Sequence, residues 1–415
     1  MHRKYIAGSS TNVPDDSSDK QIRFALQQSN RAIQEILNKP TKRNNTDRIT
    51  MMTACILFDC LACLQGHQAQ ALEHLRSGIK LLREVDDNMD DRGEPAIAHA
   101  VSLNSLRAVF VNLDVQARSI MSDVDHANWE PQPKHDYDVN IISFSSLKDA
   151  RHYFEATIND VLAFLQDLEV HPPGIEGMDT VDRTFSRLRY QFESGSRMLD
   201  EFLGRASPRI DVQRDQSFIA LRLLHAQLEL LVKTFDEWEG VRVLNWHIEE
   251  QHFHTMMDLI TQLMESKTES LDNSPIPGGS ARPGQPLERP VFSSGFGLLA
   301  GLWMVSIRAP NVSLRWKAIG YLLDYPRREG FWDGTVAGRI AWEVMTLEET
   351  ATMEELGILR ADLPFAVRKA ADIPDYLRIR DIAIKYTGLR GATVEFRNTR
   401  HVERKESGWA RNMTW

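Results

Sequence analysis

The stretch that most constrains this chain runs from Arg48 to Glu84, RITMMTACILFDCLACLQGHQAQALEHLRSGIKLLRE. Ile49, Met52, Ile56, Cys60 and Cys63 recur at steps of three and four, which places them on one face of a helix. Leu57, Leu61 and Leu64 widen that face, so the spacing predicts cover on more than one side. Gln65-Gly66 breaks the pattern, because glycine enters the left-handed conformation that ends a helix without a steric clash. A second helix follows, with Ala71, Leu75, Gly78, Leu81 and Leu82 inward and Arg76, Lys80 and Arg83 outward. Two amphipathic helices with so short a break must fold back antiparallel. The small residues Ala69, Ala71 and Gly78 are expected where the second helix approaches the first.

Gly66, Ala71, Leu75 and Gly78 fall at the offsets of the second helix of a tetratricopeptide hairpin, but no second copy follows at a period near thirty-four residues. The stretch reads as one hairpin and no repeat array. The rest of the chain follows the helical period and almost nothing alternates with period two, so the expected class is all-α, an irregular multi-helix bundle of antiparallel helical hairpins. Residues 1–20 are polar and read as a disordered N-terminus. A main helical lobe is expected over 21–265. Its helices follow Ile22 to Leu37, the central hairpin, Ala98 to Met121, Leu147 to Leu165, Phe185 to Phe202, Phe218 to Phe235 and His247 to Met264. Residues 266–293 hold a Pro/Gly-rich insertion that cannot sustain a helix. A second helical lobe is expected over 294–390, including a helix over Pro374–Tyr386. A polar tail, 391–415, contains one strand-like run at Ala392–Phe396.

Charge excludes some functions. The net charge is −9, which argues against a chain that grips phosphates over a wide area. Residues 1–48 hold nine Lys/Arg and five Asp/Glu, and residues 385–415 hold seven and three, so the ends are basic and the middle acidic. Three cysteines in 415 residues, all within Cys55–Cys63, exclude a disulfide framework and fit a reducing compartment. MHRKYIAGSS lacks the apolar core of a signal peptide. The longest apolar run, Gly295 to Ile307, is too short for a bilayer, so no membrane partner is expected.

Several constellations could carry chemistry. Cys60, Cys63 and His67 lie at i, i+3 and i+7, and zinc would need a fourth ligand such as His74. Buried small side chains on an apolar face explain the same spacing, so no metal site is assigned. Asp86, Asp87 and Asp90 form D-D-x-x-D, the arrangement by which class I terpene synthases hold Mg²⁺ against a diphosphate. The matching second motif at Asn159-Asp160 lacks its hydroxyl, because Ala163 stands there with Asp167 after it. A solvated acidic loop is the simpler reading. His247, Glu250 and His254 share a helix face without H-E-x-x-H, and polar side chains on the solvent side of an amphipathic helix account for them. Glu343, Glu348, Glu349, Glu354 and Glu355 could present an acidic activating surface, although a solvated helix face explains them as well. No nucleotide-binding or serine-hydrolase signature appears, so no catalytic residue and no cofactor are expected.

Ala71, His74, Leu75, Gly78, Leu81 and Leu82 spell A-x-x-H-L-x-x-G-x-x-L-L after a glycine turn at Gly66. With the hydrophobic helix before it, this segment resembles the start of the regulatory, or middle homology, region of fungal binuclear zinc-cluster transcription factors. A second segment is similar to a late part of that region: Leu322-Leu323, then Arg328, Glu329, Gly330, Phe331, Trp332 and Asp333, and later Glu348-Glu349. The apolar run Ile219–Val232 resembles the family's long central helix. The similarity spans about residues 48–350, and the order of the three segments carries it. Asp333 is placed to cap the next helix. Trp332 can bury its ring while its N–H finds a carbonyl. Arg327 or Arg328 can pair with a carboxylate.

The six-cysteine DNA-binding module of that family has no counterpart, since residues 1–47 contain no cysteine. The resemblance therefore implies the regulatory part of a nuclear transcription regulator, controlling a metabolic or secondary-metabolite gene set. It would work through protein partners, either the transcription machinery or a DNA-binding partner, and not through its own grip on DNA. A homodimer is compatible with this reading. The alternatives are a Mg²⁺-dependent terpene-synthase-like enzyme using Asp86, Asp87 and Asp90, and a helical interaction scaffold. Gly66, Ala71, His74 and Gly78, with Glu329, Gly330, Trp332 and Asp333, form the expected structural signature.

Overall fold

The computed structural model describes residues 20–38, 45–89, 101–121, 129, 142–171, 174, 177–206, 215–236, 250–272, 291–293, 297–325, 327–357, 373–388 and 391–414. These residues are mostly helical, with two small sheets, so the class is all-α. Residues 1–19 of the expected N-terminal tail (1–20) and most of the Pro/Gly-rich insertion (273–290) lie outside the described residues. The chain divides into two compact units. The first holds residues 1–110, 386–393 and 412–415, and the second 111–385 and 394–411.

In the first unit, α1 (Lys20–Leu37) precedes the hairpin of α2 (Asn45–Gln65) and α3 (Gln68–Met89). Gly66 has φ +75 and ends α2, and the amide of His67 donates to the Ala62 carbonyl at 2.8 Å. Met52, Cys63, Ala71, Leu75, Ile79 and Leu82 are buried between the two helices. Burial of each large aliphatic side chain contributes about 1.5–3 kcal/mol. Gly78 sits at the crossing, where an added Cβ would meet the Phe110 ring and lie 3.2 Å from the Cys55 Cβ. Three sequence expectations fail here. Leu57 is 63% exposed and Leu64 49%, so neither joins the core expected around α2. Ala69 is exposed rather than at the helix crossing. The Asp86 region is no loop, because α3 continues to Met89.

The second unit is built on a helical core. It contains the C-terminal half of α4 (Leu103–Arg118), then α5 (Leu147–Val170), α6 (Met178–Ala206), α7 (Gln216–Asp236) and α8 (Glu250–Asp272). Ser146 caps α5 by accepting from the Asp149 amide. Phe154, Ile158, Leu188, Leu224 and Leu228 form the centre of this core. α8 begins at Glu250 and runs past the expected end at Met264, and His247 lies outside the described residues.

The rest of the unit follows the order β1 (Val291–Ser293), α9 (Leu298–Arg308), α10 (Val312–Asp324), β2 (Arg327–Glu329), β3 (Trp332–Asp333) and α11 (Gly334–Leu356). β1 pairs parallel with β2, Val291 opposite Arg327, and β2 pairs antiparallel with β3, Arg328 opposite Asp333. Ile319, Leu323, Ala341 and Met345 form a smaller core with Trp303, Trp316 and Trp342 around it.

The helix expected over Pro374–Tyr386 is not one. A 3-10 turn at Asp375–Leu377 leads into β4 (Ile379–Gly388), which joins β5 (Gly391–Asn398) and β6 (Trp409–Thr414) in a sheet of that order. The run Ile379-Arg380-Asp381-Ile382-Ala383-Ile384 is rich in β-branched residues, and strand neighbours decided what periodicity alone left open. The segment after Arg397, expected as a polar tail, carries α12 (Thr399–Arg404) and β6. A capping box between Asn398 and His401 starts α12.

Gly78→Ala tests the close crossing. Overpacking against Phe110 should cost about 1–3 kcal/mol in urea denaturation. Gly204→Ala, where an added Cβ meets nothing within 4 Å, should be neutral or stabilise by up to about 1 kcal/mol.

Candidate functional site

The strongest concentration of buried charge lies in the second unit, where the expected late motif folds. Glu329 is 2% exposed. Its carboxylate accepts from the Leu298 amide at 3.0 Å and the Leu299 amide at 2.9 Å, so it caps the N-terminus of α9 from a distant strand. Free amides at a helix start carry partial positive charge, which suits a carboxylate there. Arg327 pairs with the same carboxylate. Asp333 caps α11, accepting from Thr335 at 2.9 Å and Val336 at 3.1 Å, while Arg328 Nε donates to it at 2.8 Å. Gly330, at φ +53, makes the turn between β2 and β3, and a side chain there would strike Gln116. Trp332 is buried and its indole N–H donates to the Ser119 hydroxyl at 3.0 Å, a hydroxyl where a carbonyl was expected.

One residue of this region is misread from sequence. Glu348, grouped above with an acidic surface, is fully buried. Its Oε2 accepts from Arg315 Nη1 at 2.7 Å and its Oε1 from the Ile379 amide at 2.9 Å. Arg315, also fully buried, donates its Nε to the Ser306 carbonyl at 2.7 Å. This constellation ties α9, α10, α11 and β4 together. Of the other members of the acidic series, Glu354 and Glu355 are exposed, while Glu343 and Glu349 are half-buried. Glu355 pairs with Arg400, and Glu343 lies 3.5 Å from Arg411. Sequence carries one signal for the buried pair: Arg315 sits in VSLRWKAIGYLL, an arginine within a short apolar helix.

A second buried polar network joins α4 and α5. Asp114 accepts from Arg118 Nε and from Trp129 Nε1, each at 2.7 Å, and Gln166 donates to the Arg118 carbonyl at 2.6 Å. Burial pushes the Asp114 carboxyl up, against the pull of Arg118. A third cluster spans α6, α7 and α8. The Ser196 hydroxyl lies 2.8 Å from His225 Nε2, with Glu229 and Asp200 close enough to act on the ring. His252 lies 3.7 Å from Glu229 and 2.9 Å from the Ala226 carbonyl. Burial between Phe154 and Phe192 holds His225 below its usual range.

The first unit holds the remaining candidates. Ala71 and Gly78 are buried in the hairpin, Gly66 makes its turn, and the His74 ring lies 5.5 Å from the Phe58 ring. Cys63 is buried, and burial pushes Cys55 and Cys60 up to about 11, so both are thiols at neutral pH. Among the described residues no three His, Cys, Asp or Glu side chains come together as a metal-holding group. Asp86 faces inward and receives Arg107 Nη1 at 2.9 Å, Asp87 is exposed, and Asp90 lies outside the described residues. Asn159 and Asp160 belong to the second unit, with Asn159 fully buried and Asp160 3.5 Å from the Gln191 amide. His254 bonds Glu250 at 3.3 Å on the exposed side of α8.

Sequence reading passed over Asp59. It is fully buried in α2 and neither carboxylate oxygen has a hydrogen-bond partner. Burial raises its pKa to about 8, so at neutral pH the acid is mostly protonated. The signal was a lone charge inside an apolar helix.

No protein-family model matches the chain. No solved structure matches it. The chain is 23% identical over 421 residues to the aspercryptin biosynthesis cluster-specific transcription regulator atnN of Emericella nidulans, a likeness that covers 86% of this chain and 67% of that protein. Among the described residues no helix is long and apolar enough to cross a membrane.

Two predictions follow from the buried charges. Glu348→Ala leaves Arg315 buried and unpaired, and should cost about 3–5 kcal/mol of stability. Arg315→Met with Glu348→Leu should recover most of that loss in the same denaturation experiment. For Asp59, the native state holds a proton between the unfolded pKa of about 3.9 and the native value of about 8. Stability from this group is full below pH ~4 and falls by at most about 1.4 kcal/mol per pH unit as pH rises toward 8. Asp59→Asn removes that slope, so its advantage over wild type should grow with pH.

Proposed function

We propose that this chain is the regulatory part of a fungal transcription regulator of the zinc-cluster type, and that it controls a set of secondary-metabolite biosynthetic genes. The observation that carries the reading is the likeness to a cluster-specific regulator along 86% of the chain. Two features of the chain support it. The hairpin segment around Gly66 and Gly78, the apolar run in α7 and the corner at Glu329–Asp333 stand in the order expected of the family's regulatory region. The polar groups at that corner are spent on helix caps and ion pairs that fix the fold.

In this reading the chain acts in the nucleus by holding protein partners, either the transcription machinery or a DNA-binding partner. Catalysis has no part in it, and no cofactor is invoked. Glu329, Gly330, Trp332 and Asp333 act as the structural signature that positions α9 and α11. Gly66, Ala71, His74 and Gly78 do the same for the hairpin. Helical faces within each unit present the binding surfaces.

A tethering experiment tests this. The chain is fused to a heterologous DNA-binding domain and expressed in a fungal host with a reporter under the matching operator. Reporter output should change several-fold in either direction, and a fluorescent fusion should concentrate in the nucleus. Unchanged output from a stably expressed nuclear fusion contradicts the proposal.

A further inference from the structure

We propose that the outward stripe of α6 docks an acidic segment of a protein partner, with Arg183, Arg187, Arg197 and Arg205 holding its carboxylates and Tyr190 covering an apolar side chain between them. The four arginines are exposed, and Tyr190 is 64% exposed. Their spacing along α6, in steps of four, three, seven and eight residues, keeps all five on one helix face over about 33 Å. None of the four arginines has a carboxylate partner among the described residues. Arg183 donates to the Asp179 carbonyl at 3.0 Å and the Thr180 hydroxyl at 3.3 Å, and Arg205 to the Glu201 carbonyl at 3.2 Å, all close by on the same helix. Arg197 pairs with neither Glu193 nor Glu201, each four residues away.

The arrangement of charge selects the occupant. A helix face that meets only water is stabilised by opposite charges three or four residues apart. Arg183 and Arg187 place like charges four apart, which weakens the helix, and no ion pair in the described fold offsets it. Most acids of α6 stand apart from the stripe. Asp182, Glu193 and Asp200, at steps of eleven and seven, form a separate row on one flank, where Glu193 takes up Arg189 at 3.2 Å. Asp179 lies in the first turn, where the helix dipole favours it, which leaves Glu201 as the sole acid between Arg183 and Arg205 on the stripe. On a chain of net charge −9, signs so segregated leave a narrow positive track that fits an anion. Its cations are all arginines, whose planar forks grip carboxylates and phosphates through paired hydrogen bonds. Width decides between those two. A helix with its side chains is about 10–12 Å across and the major groove of a duplex about 12 Å, so a duplex taking α6 would set phosphates along both flanks. One line of them would lie on Asp182, Glu193 and Asp200. A single acidic polypeptide follows the track alone, and a Phe or Leu within it covers the Tyr190 ring. This inference gives the regulatory reading its partner chemistry and rests on that reading. Binding by the purified chain is independent of reporter output, so the two fail separately.

Fluorescence anisotropy with the purified full chain at about 50 mM salt tests it. The probe is a labelled peptide of Glu and Asp with interspersed Phe and Leu. Its Gln/Asn counterpart and a labelled mixed-sequence DNA duplex are the comparisons. The acidic peptide should bind with a Kd of about 10–100 µM and weaken as salt rises. Arg187→Gln with Arg197→Gln should weaken it about tenfold, and Tyr190→Ala about threefold. Arg222→Gln with Lys317→Gln, which removes the same charge from exposed positions on α7 and α10, should leave binding within about twofold. Circular dichroism should show wild-type helicity in every variant, as all these side chains are exposed. An acidic peptide that does not bind up to about 1 mM overturns the proposal, and so does a neutral counterpart that binds as well. Binding that survives the Arg187 and Arg197 changes, or that falls as far with the Arg222 and Lys317 changes, overturns it too. A duplex that binds more tightly than the peptide, and is lost with the same two arginines, replaces it with a nucleic-acid site.

Discussion

The carboxylate of Glu348, sealed from water with the guanidinium of Arg315, is the constraint on which the C-terminal part of the fold depends. Both groups are fully buried, so neither can turn to solvent if the other is lost. Stripping two ions of water costs several kcal/mol each, and close hydrogen-bonded geometry is what offsets it. Here the geometry does more than pair two charges. Arg315 also holds the Ser306 carbonyl near the end of α9, and Glu348 also holds the amide at the start of β4. Three helices and a strand meet on one polar point, and the apolar cluster of Ile319, Leu323, Ala341 and Met345 packs nearby. Glu329 and Asp333 extend the same logic, since each satisfies amides that a helix start would otherwise leave unpaired.

The first unit is organised by a different rule. Its hairpin depends on close backbone approach at Gly78 and on a left-handed residue at Gly66, so small side chains rather than ions set the geometry. Asp59 is the exception inside it. A carboxyl with no partner, kept protonated by its surroundings, makes the hairpin less stable than an all-apolar version would be. The other side of the same helix is apolar and exposed. One helix thus carries a buried polar cost inward and exposed leucines outward.

Much of this was legible in the sequence where helical period and turn chemistry agreed. The α2–α3 hairpin, its break at Gly66, the caps by Asp333 and the burial of Trp332 follow from local residue types. Long apolar helices such as α5 and α7 were also visible, because their stripes are strong enough to decide the period. The failures share a physical cause. Ile379 to Ile384 became a strand by pairing with β5, the next element along the chain, a partner that helical period alone does not register. Glu348 reads as one of several glutamates until the fold brings Arg315 to it, thirty-three residues away. Leu57 and Leu64 fit a core stripe, yet they stay exposed in the fold. Asp86 and Asp87 look like a metal-binding loop, yet the helix carries on through both and Arg107 claims the first.

Under the proposed function, the chain is a scaffold whose polar groups stabilise its own turns and whose apolar faces serve partners. Transcript profiling of a strain lacking this gene, grown under conditions that induce secondary metabolism, tests that account most directly. It predicts that a co-located group of biosynthetic genes changes expression together, several-fold, and returns on complementation. A transcriptome indistinguishable from the parent strain, with the protein confirmed present in the parent, would contradict it.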